Sequence, residues 1–101
     1  MDPVVSSFPL THRIKDGLLH VSCTSKGRKR EELFIELNER AVYVRNKENK
    51  TLILSFVISN MYDCDTLRVF YHGDRLLFTV EPSQRKDYRV LDLEEPEGFQ
   101  A

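Results

Sequence analysis

The sequence predicts an all-β domain, an antiparallel β-sandwich of about seven strands. Three observations carry that reading. Apolar residues recur at every second position in run after run, the spacing of a half-buried strand rather than of a helix. The runs are short and are separated by polar turns, as in sandwiches and small barrels. The chain has 101 residues, 41% of them hydrophobic and 31% charged, which suits one folded domain and neither a disordered chain nor a membrane span.

The elements follow in order. Residues 1–10 contain Pro3, Pro9 and the pair Ser6–Ser7 and read as a lead-in or an edge segment. Leu19, Val21 and Cys23 alternate with Leu18, His20 and Ser22. Leu33, Ile35 and Leu37 alternate with Phe34 and Glu36, and Val42 and Val44 with Ala41, Tyr43 and Arg45. Between Leu52 and Ile58 both faces are apolar, the pattern of a strand at the centre of the structure. Residues 61–66 offer at most one helical turn. Leu67, Val69 and Tyr71 then alternate with Arg68 and Phe70, and Leu76, Phe78 and Val80 with Leu77 and Thr79. A last run, Tyr88, Val90 and Asp92 against Arg89, Leu91 and Leu93, reads as a final strand. The breaks carry turn chemistry at residues 26–28, 38–40, 46–50 and 72–74, where Gly73 supplies a positive φ without steric cost. One sandwich domain is therefore expected over residues 11–93, with an acidic, disordered tail over 94–101.

Composition narrows function mainly by exclusion. Fifteen basic and sixteen acidic residues leave a formal charge of -1, so bulk attraction to nucleic acid or an anionic membrane is not expected. The opening residues lack a basic region followed by a long apolar run, so no secretory signal is expected. With two cysteines there is no disulfide framework, and a cytoplasmic or nuclear setting is the simpler expectation. Cys23 reads as a small buried hydrophobe. Cys64 lies between Asp63 and Asp65, whose carboxylates disfavour a thiolate.

No metal-ligand spacing is present among the histidines and cysteines, and no metal or other cofactor is expected. Asp63 and Asp65 read as turn formers, because no third oxygen ligand is near in sequence. The serines include no nucleophile elbow, and the glycines form no phosphate loop. The chain is expected not to be an enzyme. One charged cluster stands out: Lys26, Arg28, Lys29 and Arg30 put four cations into five residues around Gly27. Such a loop suits phosphate, phosphoinositide or RNA, or it is a solvated turn whose charge Glu31 and Glu32 offset.

Two small β folds fit less well than a third. A pleckstrin-like domain ends on a long amphipathic helix, and the residues after Val80 offer Pro82 and an alternating segment instead. An oligonucleotide-binding barrel calls for a basic groove with exposed aromatics. The order of features from Gly17–Val21, through Lys29–Leu37 and Asn38–Val44, to Leu52–Ile58 and the hairpin Cys64–Pro82 resembles the CS-domain and α-crystallin (small heat-shock) sandwich. The resemblance spans Leu18 to Pro82 and is one of pattern. Arg75 stands where the α-crystallin hairpin has glycine before its Val–Leu pair, and the long strand-swapping loop is absent, so the CS branch, including PIH-type assembly factors, is the nearer one. The tryptophan common in CS co-chaperones is missing.

The resemblance implies a non-enzymatic protein-interaction module, a co-chaperone or an adaptor in complex assembly. Its partner would be another protein, a chaperone or chaperone adaptor, or a second copy of the chain joined through an edge strand. It also implies a peptide-accepting groove beside the strands at 33–37 and 67–71, with Phe34, Glu36, Leu67, Val69 and Tyr71 as partner-binding residues. The run 90–93 resembles a tail motif able to fill such a groove.

Overall fold

A computed structural model describes residues 2–83 and 91–93. Eight strands are present: β1 (Val4–Val5), β2 (Thr11–Lys15), β3 (Leu18–Thr24), β4 (Leu33–Asn38), β5 (Ala41–Asn46), β6 (Leu52–Ile58), β7 (Tyr62–His72) and β8 (Arg75–Pro82). A single 3-10 turn at Arg30–Glu32 precedes β4. The strands form two four-stranded sheets, ordered β1-β6-β5-β4 and β2-β3-β8-β7, and every pairing is antiparallel. The fold is thus an all-β sandwich, with eight strands among the described residues rather than about seven. The additional strands lie near the N-terminus. Pairing with Ile58 and Val57 draws Val4 and Val5 into a sheet, and Asp16-Gly17 closes a two-residue hairpin between Lys15 and Leu18. Both turn residues have positive φ (53° and 79°), which glycine adopts freely and aspartate tolerates.

The core follows the alternation. Leu19, Val21 and Cys23 of β3 and Leu76, Phe78 and Val80 of β8 face Val42, Val44, Leu54, Phe56 and Ile58 of the opposite sheet, all at most 2% exposed. Phe56 and Phe78 meet across the interface edge to face, with centroids 5.0 Å apart at 80°. At this geometry a ring pair contributes about 0.5–1.5 kcal/mol beyond its area. A bulge in β6 opposite Val44 and Arg45 brings Ile53 into the core beside Leu54, which explains the two-sided apolar pattern of that run.

Two expectations need correction. Residues 61–66 contain no helical turn; after Met61 they open the longest strand, β7. That strand carries a wide bulge, because Asp63 pairs with Glu81 and Arg68 with Thr79, leaving residues 64–67 opposite Val80 alone. Of the expected last strand, residues 91–93 have no regular structure and are exposed, while 88–90 and the acidic tail at 94–101 lie outside the described residues.

The chain crosses between sheets three times, after β1, β3 and β6. The first crossover packs Phe8 and Leu10 against the core. The last is held by Arg40 in the β4–β5 turn. Its guanidinium donates to the carbonyl of Ile58 at 2.8 Å and to the carbonyls of Ser59 and Tyr62. One cation therefore satisfies three main-chain acceptors where the backbone leaves the ladder. Among the described residues no helix is long and apolar enough to cross a membrane.

Candidate functional site

Each sheet ends in two edge strands, and the four edges differ. The edge β1 is only two residues long. The edge β2 is exposed throughout and carries His12, Arg13 and Lys15, charges that discourage pairing with another chain. The remaining edges, β4 and β7, are longer and more apolar. Among the described residues each has one ladder partner, so alternate N–H and C=O groups along its other side point outward.

A groove of about 380 Å³ lies between these two edges, lined by Arg30, Leu33, Ile35, Val69, Tyr71 and Leu76, with Phe70 alongside. The β4 contribution follows from register. Leu33 and Ile35 share the inward face with Val44 and Leu54, but β4 is the last strand of its sheet and they are only half-buried. The β7 contribution depends on the bulge. Asp63 and Glu81 face outward together, as do Arg68 and Thr79. The change from an odd to an even position requires an odd number of inserted residues. Val69 and Tyr71 therefore turn toward the groove, and Arg68 and Phe70 turn away.

Thr66 fixes the bulge. Its hydroxyl donates to the carbonyl of Asp63 at 2.6 Å and accepts from the amide of Glu81 at 2.9 Å. It replaces ladder bonds that the inserted residues cannot make. The Asp63 carboxylate accepts from the amide of Asp65 at 3.0 Å, which gives this pair a turn-forming role.

The five residues expected to contact a partner divide. Val69 and Tyr71 line the groove. Leu67 packs against the core beside it. Phe34 and Glu36 occupy the opposite face of β4 and are engaged within the sheet. Lys50 Nζ sits 3.9 Å from the Phe34 ring centroid, and Glu36 accepts a 2.9 Å bond from Arg45 Nε. Leu33 and Ile35 take their places in the groove. The alternation had placed Leu33 and Ile35 together on one face, but it did not say which face was inward.

The basic loop does not act as one cluster. Lys26 lies over the Phe8 ring, 5.7 Å from its centroid, whereas Arg30 lines the groove. The loop is anchored from beneath. The buried Ser25 donates its amide to Asp74 at 2.6 Å and its hydroxyl to the carbonyl of Arg28 at 3.0 Å. Tyr71 donates its phenol to the same carbonyl at 2.9 Å. Glu32 caps the 3-10 turn by accepting from the Lys29 amide at 2.8 Å. Tyr71 thus joins the wall of the groove to the loop that brings a cation to its end.

Among the described residues no three His, Cys, Asp or Glu side chains converge as metal ligands would. Burial pushes the Cys23 thiol up to about 11, against a smaller opposing pull from Arg75. Burial also raises Cys64, with Arg40 opposing and Asp63 and Asp65 adding to the rise. Neither thiol is set up to ionise as a nucleophile near neutrality. Compared with known proteins, the chain matches no family model and no curated sequence.

Proposed function

We propose that this domain is a non-enzymatic protein-interaction module that receives an extended segment of a partner in the β4–β7 groove. The observation that carries the reading is the meeting of two sparsely protected sheet edges around an apolar floor of Leu33, Ile35, Val69 and Leu76. Free edge groups supply main-chain bonds to an added strand, and the floor takes alternate apolar side chains. Arg30 at the rim favours a segment with an acidic residue beside its apolar positions. The order of sequence features that resembles the CS sandwich supports a co-chaperone or complex-assembly adaptor as the cellular role, with a chaperone or chaperone adaptor as partner.

A selection of displayed random peptides on the intact chain tests the groove. The expected result is enrichment of extended apolar peptides bearing an acid, with binding lost in Val69→Lys while the far-ultraviolet spectrum stays that of a β protein. Enrichment that Val69→Lys leaves unchanged would place the site elsewhere. Affinity capture that returns no chaperone or chaperone adaptor counts against the cellular role.

A further inference from the structure

The net charge of the chain conceals how its charges are distributed. On the solvent face of β2-β3-β8-β7, register sets residues into rows across the sheet. One row runs Arg13, His20, Thr79, Arg68, and the next runs Thr11, Ser22, Leu77, Phe70. Beyond them Arg75 lies opposite both Thr24 and His72, and Lys15 stands on the outer strand opposite Leu18. Cations thus stand at both margins, on β2 and β7, about 14 Å apart across three inter-strand spacings. The floor between them is shallow and mostly uncharged.

A depression of about 460 Å³ on this face is lined by Arg13, His20, Ser22, His72 and Arg75, and no carboxylate is among its lining residues. Ser22 steadies Arg75 by accepting a 2.8 Å bond from its guanidinium. Asp63 and Glu81 pair at the far end of β7 and β8, and two further acids near this face, Asp16 and Asp74, lie in its hairpin turns outside the depression. At the β7 margin Phe70 is 41% exposed, and the Arg68 guanidinium stacks on it at 5.1 Å.

From this arrangement we propose that the outer face of β2-β3-β8-β7 binds a single strand of nucleic acid. The carboxylate-free lining around Arg13 and Arg75 favours an anionic partner. The position of the face within the sheet then selects among anions. The main-chain groups of β3 and β8 are spent in ladders on both sides, so a peptide lying across this face would find no strand to extend. What the face does offer is guanidinium groups for phosphates, with the Phe70 ring and two imidazoles on which bases can stack. The face is separate from the β4–β7 groove except at Phe70, and its deciding variant replaces Arg13 and Arg75, which the groove does not contain.

The test is fluorescence anisotropy of a labelled oligouridylate of about 15 nucleotides, a length that spans a compact single-strand site, with the intact chain at several salt concentrations. The expected result is salt-sensitive binding. Replacing Arg13 and Arg75 together by alanine should weaken it by about tenfold or more and reduce the slope of log K against log salt by about 1.4, the share of two phosphate contacts. Phe70→Ala should weaken it by about fivefold or more while leaving that slope unchanged. Four outcomes overturn the proposal: no binding at low salt, binding that R13A/R75A leaves intact, a loss confined to a Lys26, Arg28, Lys29 and Arg30 alanine variant, or equal binding of a duplex or a polyglutamate peptide. Thermal melts of the variants separate loss of contact from loss of fold, since Arg13, Phe70 and Arg75 are all exposed.

Discussion

The Thr66 hydroxyl holds the bulge that turns Val69 and Tyr71 into the groove, so Thr66→Val should be costly although it preserves shape. The side chain bridges the two strands with bonds of 2.6 Å to the Asp63 carbonyl and 2.9 Å from the Glu81 amide. A net 0.5–1.5 kcal/mol for each bond gives a loss of roughly 1–3 kcal/mol. Thr66 is half-buried and Glu81 exposed, so water can partly replace the lost partner at the amide, which favours the middle of that range. Urea unfolding followed by circular dichroism measures the effect. With a slope of about 1 kcal/mol per molar, the midpoint should fall by about 1–3 M. Thr66→Ser keeps both bonds and should stay within about 1 kcal/mol of the parent chain. Hydrogen exchange at the Glu81 amide should accelerate in the valine variant more than exchange at core amides such as Phe78. A valine variant within about 0.5 kcal/mol of the parent, with Glu81 still protected, would refute the assignment of the bulge to this hydroxyl.

Further expectations follow from the same structure. Arg40→Met keeps the aliphatic stem but removes the guanidinium bonds to the carbonyls of Ile58, Ser59 and Tyr62, of which Ser59 keeps its 3.1 Å bond from the Tyr62 amide; it should cost about 2–4 kcal/mol by urea unfolding, and a cost under about 0.5 kcal/mol would contradict the role given to this guanidinium. A double-mutant cycle with Phe56→Leu and Phe78→Leu should return a coupling of about 0.5–1.5 kcal/mol, and zero coupling would mean the ring contact adds nothing to area burial. Cys23 contributes an alkaline dependence. Its folded value of about 11 lies above the ordinary 9.0, so the unfolded thiol ionises first as pH rises. The associated stability, on the order of 2–3 kcal/mol, is fully present below pH 9 and is lost toward pH 11. Stability curves of the parent chain and Cys23→Ala should therefore converge across that window, and parallel curves would contradict the reading.

Much of the fold was legible because a half-buried strand writes its face into every second residue. The runs beginning at Leu19, Leu33, Val42, Leu52 and Leu76 became β3, β4, β5, β6 and β8, each with one alternating set turned inward, although Leu37 and Leu52 at the strand ends stay exposed. The pattern was silent where burial does not control pairing. Strand β2 is exposed at every residue, so Thr11–Lys15 shows no apolar period, and its only signal was Asp16-Gly17 at the turn. Val4 and Val5 are too few to show a period at all. At residues 61–66 the pattern misled, because inserted residues shift the inward side from Tyr62 and Cys64 to Leu67, Val69 and Tyr71.

The candidate site was legible in part for the same reason. Alternation put Val69 and Tyr71 together, but pairing order decided that β4 and β7 are edges, and pairing order is not a local property. The cationic face lay further from view. Arg13, Arg68 and Arg75 are dispersed along the chain, and a net charge of -1 gives no hint that antiparallel pairing collects them.

The central claim is that the free sides of β4 and β7 receive an added strand. Amide hydrogen exchange of the intact chain, with and without a peptide enriched by selection, measures this directly. The account predicts slowed exchange at alternate residues within Leu33–Asn38 or Leu67–His72, because only every second amide on an edge faces an incoming strand. Protection confined to β2 or to the loop at 26–30, with both of those edges unchanged, would contradict it.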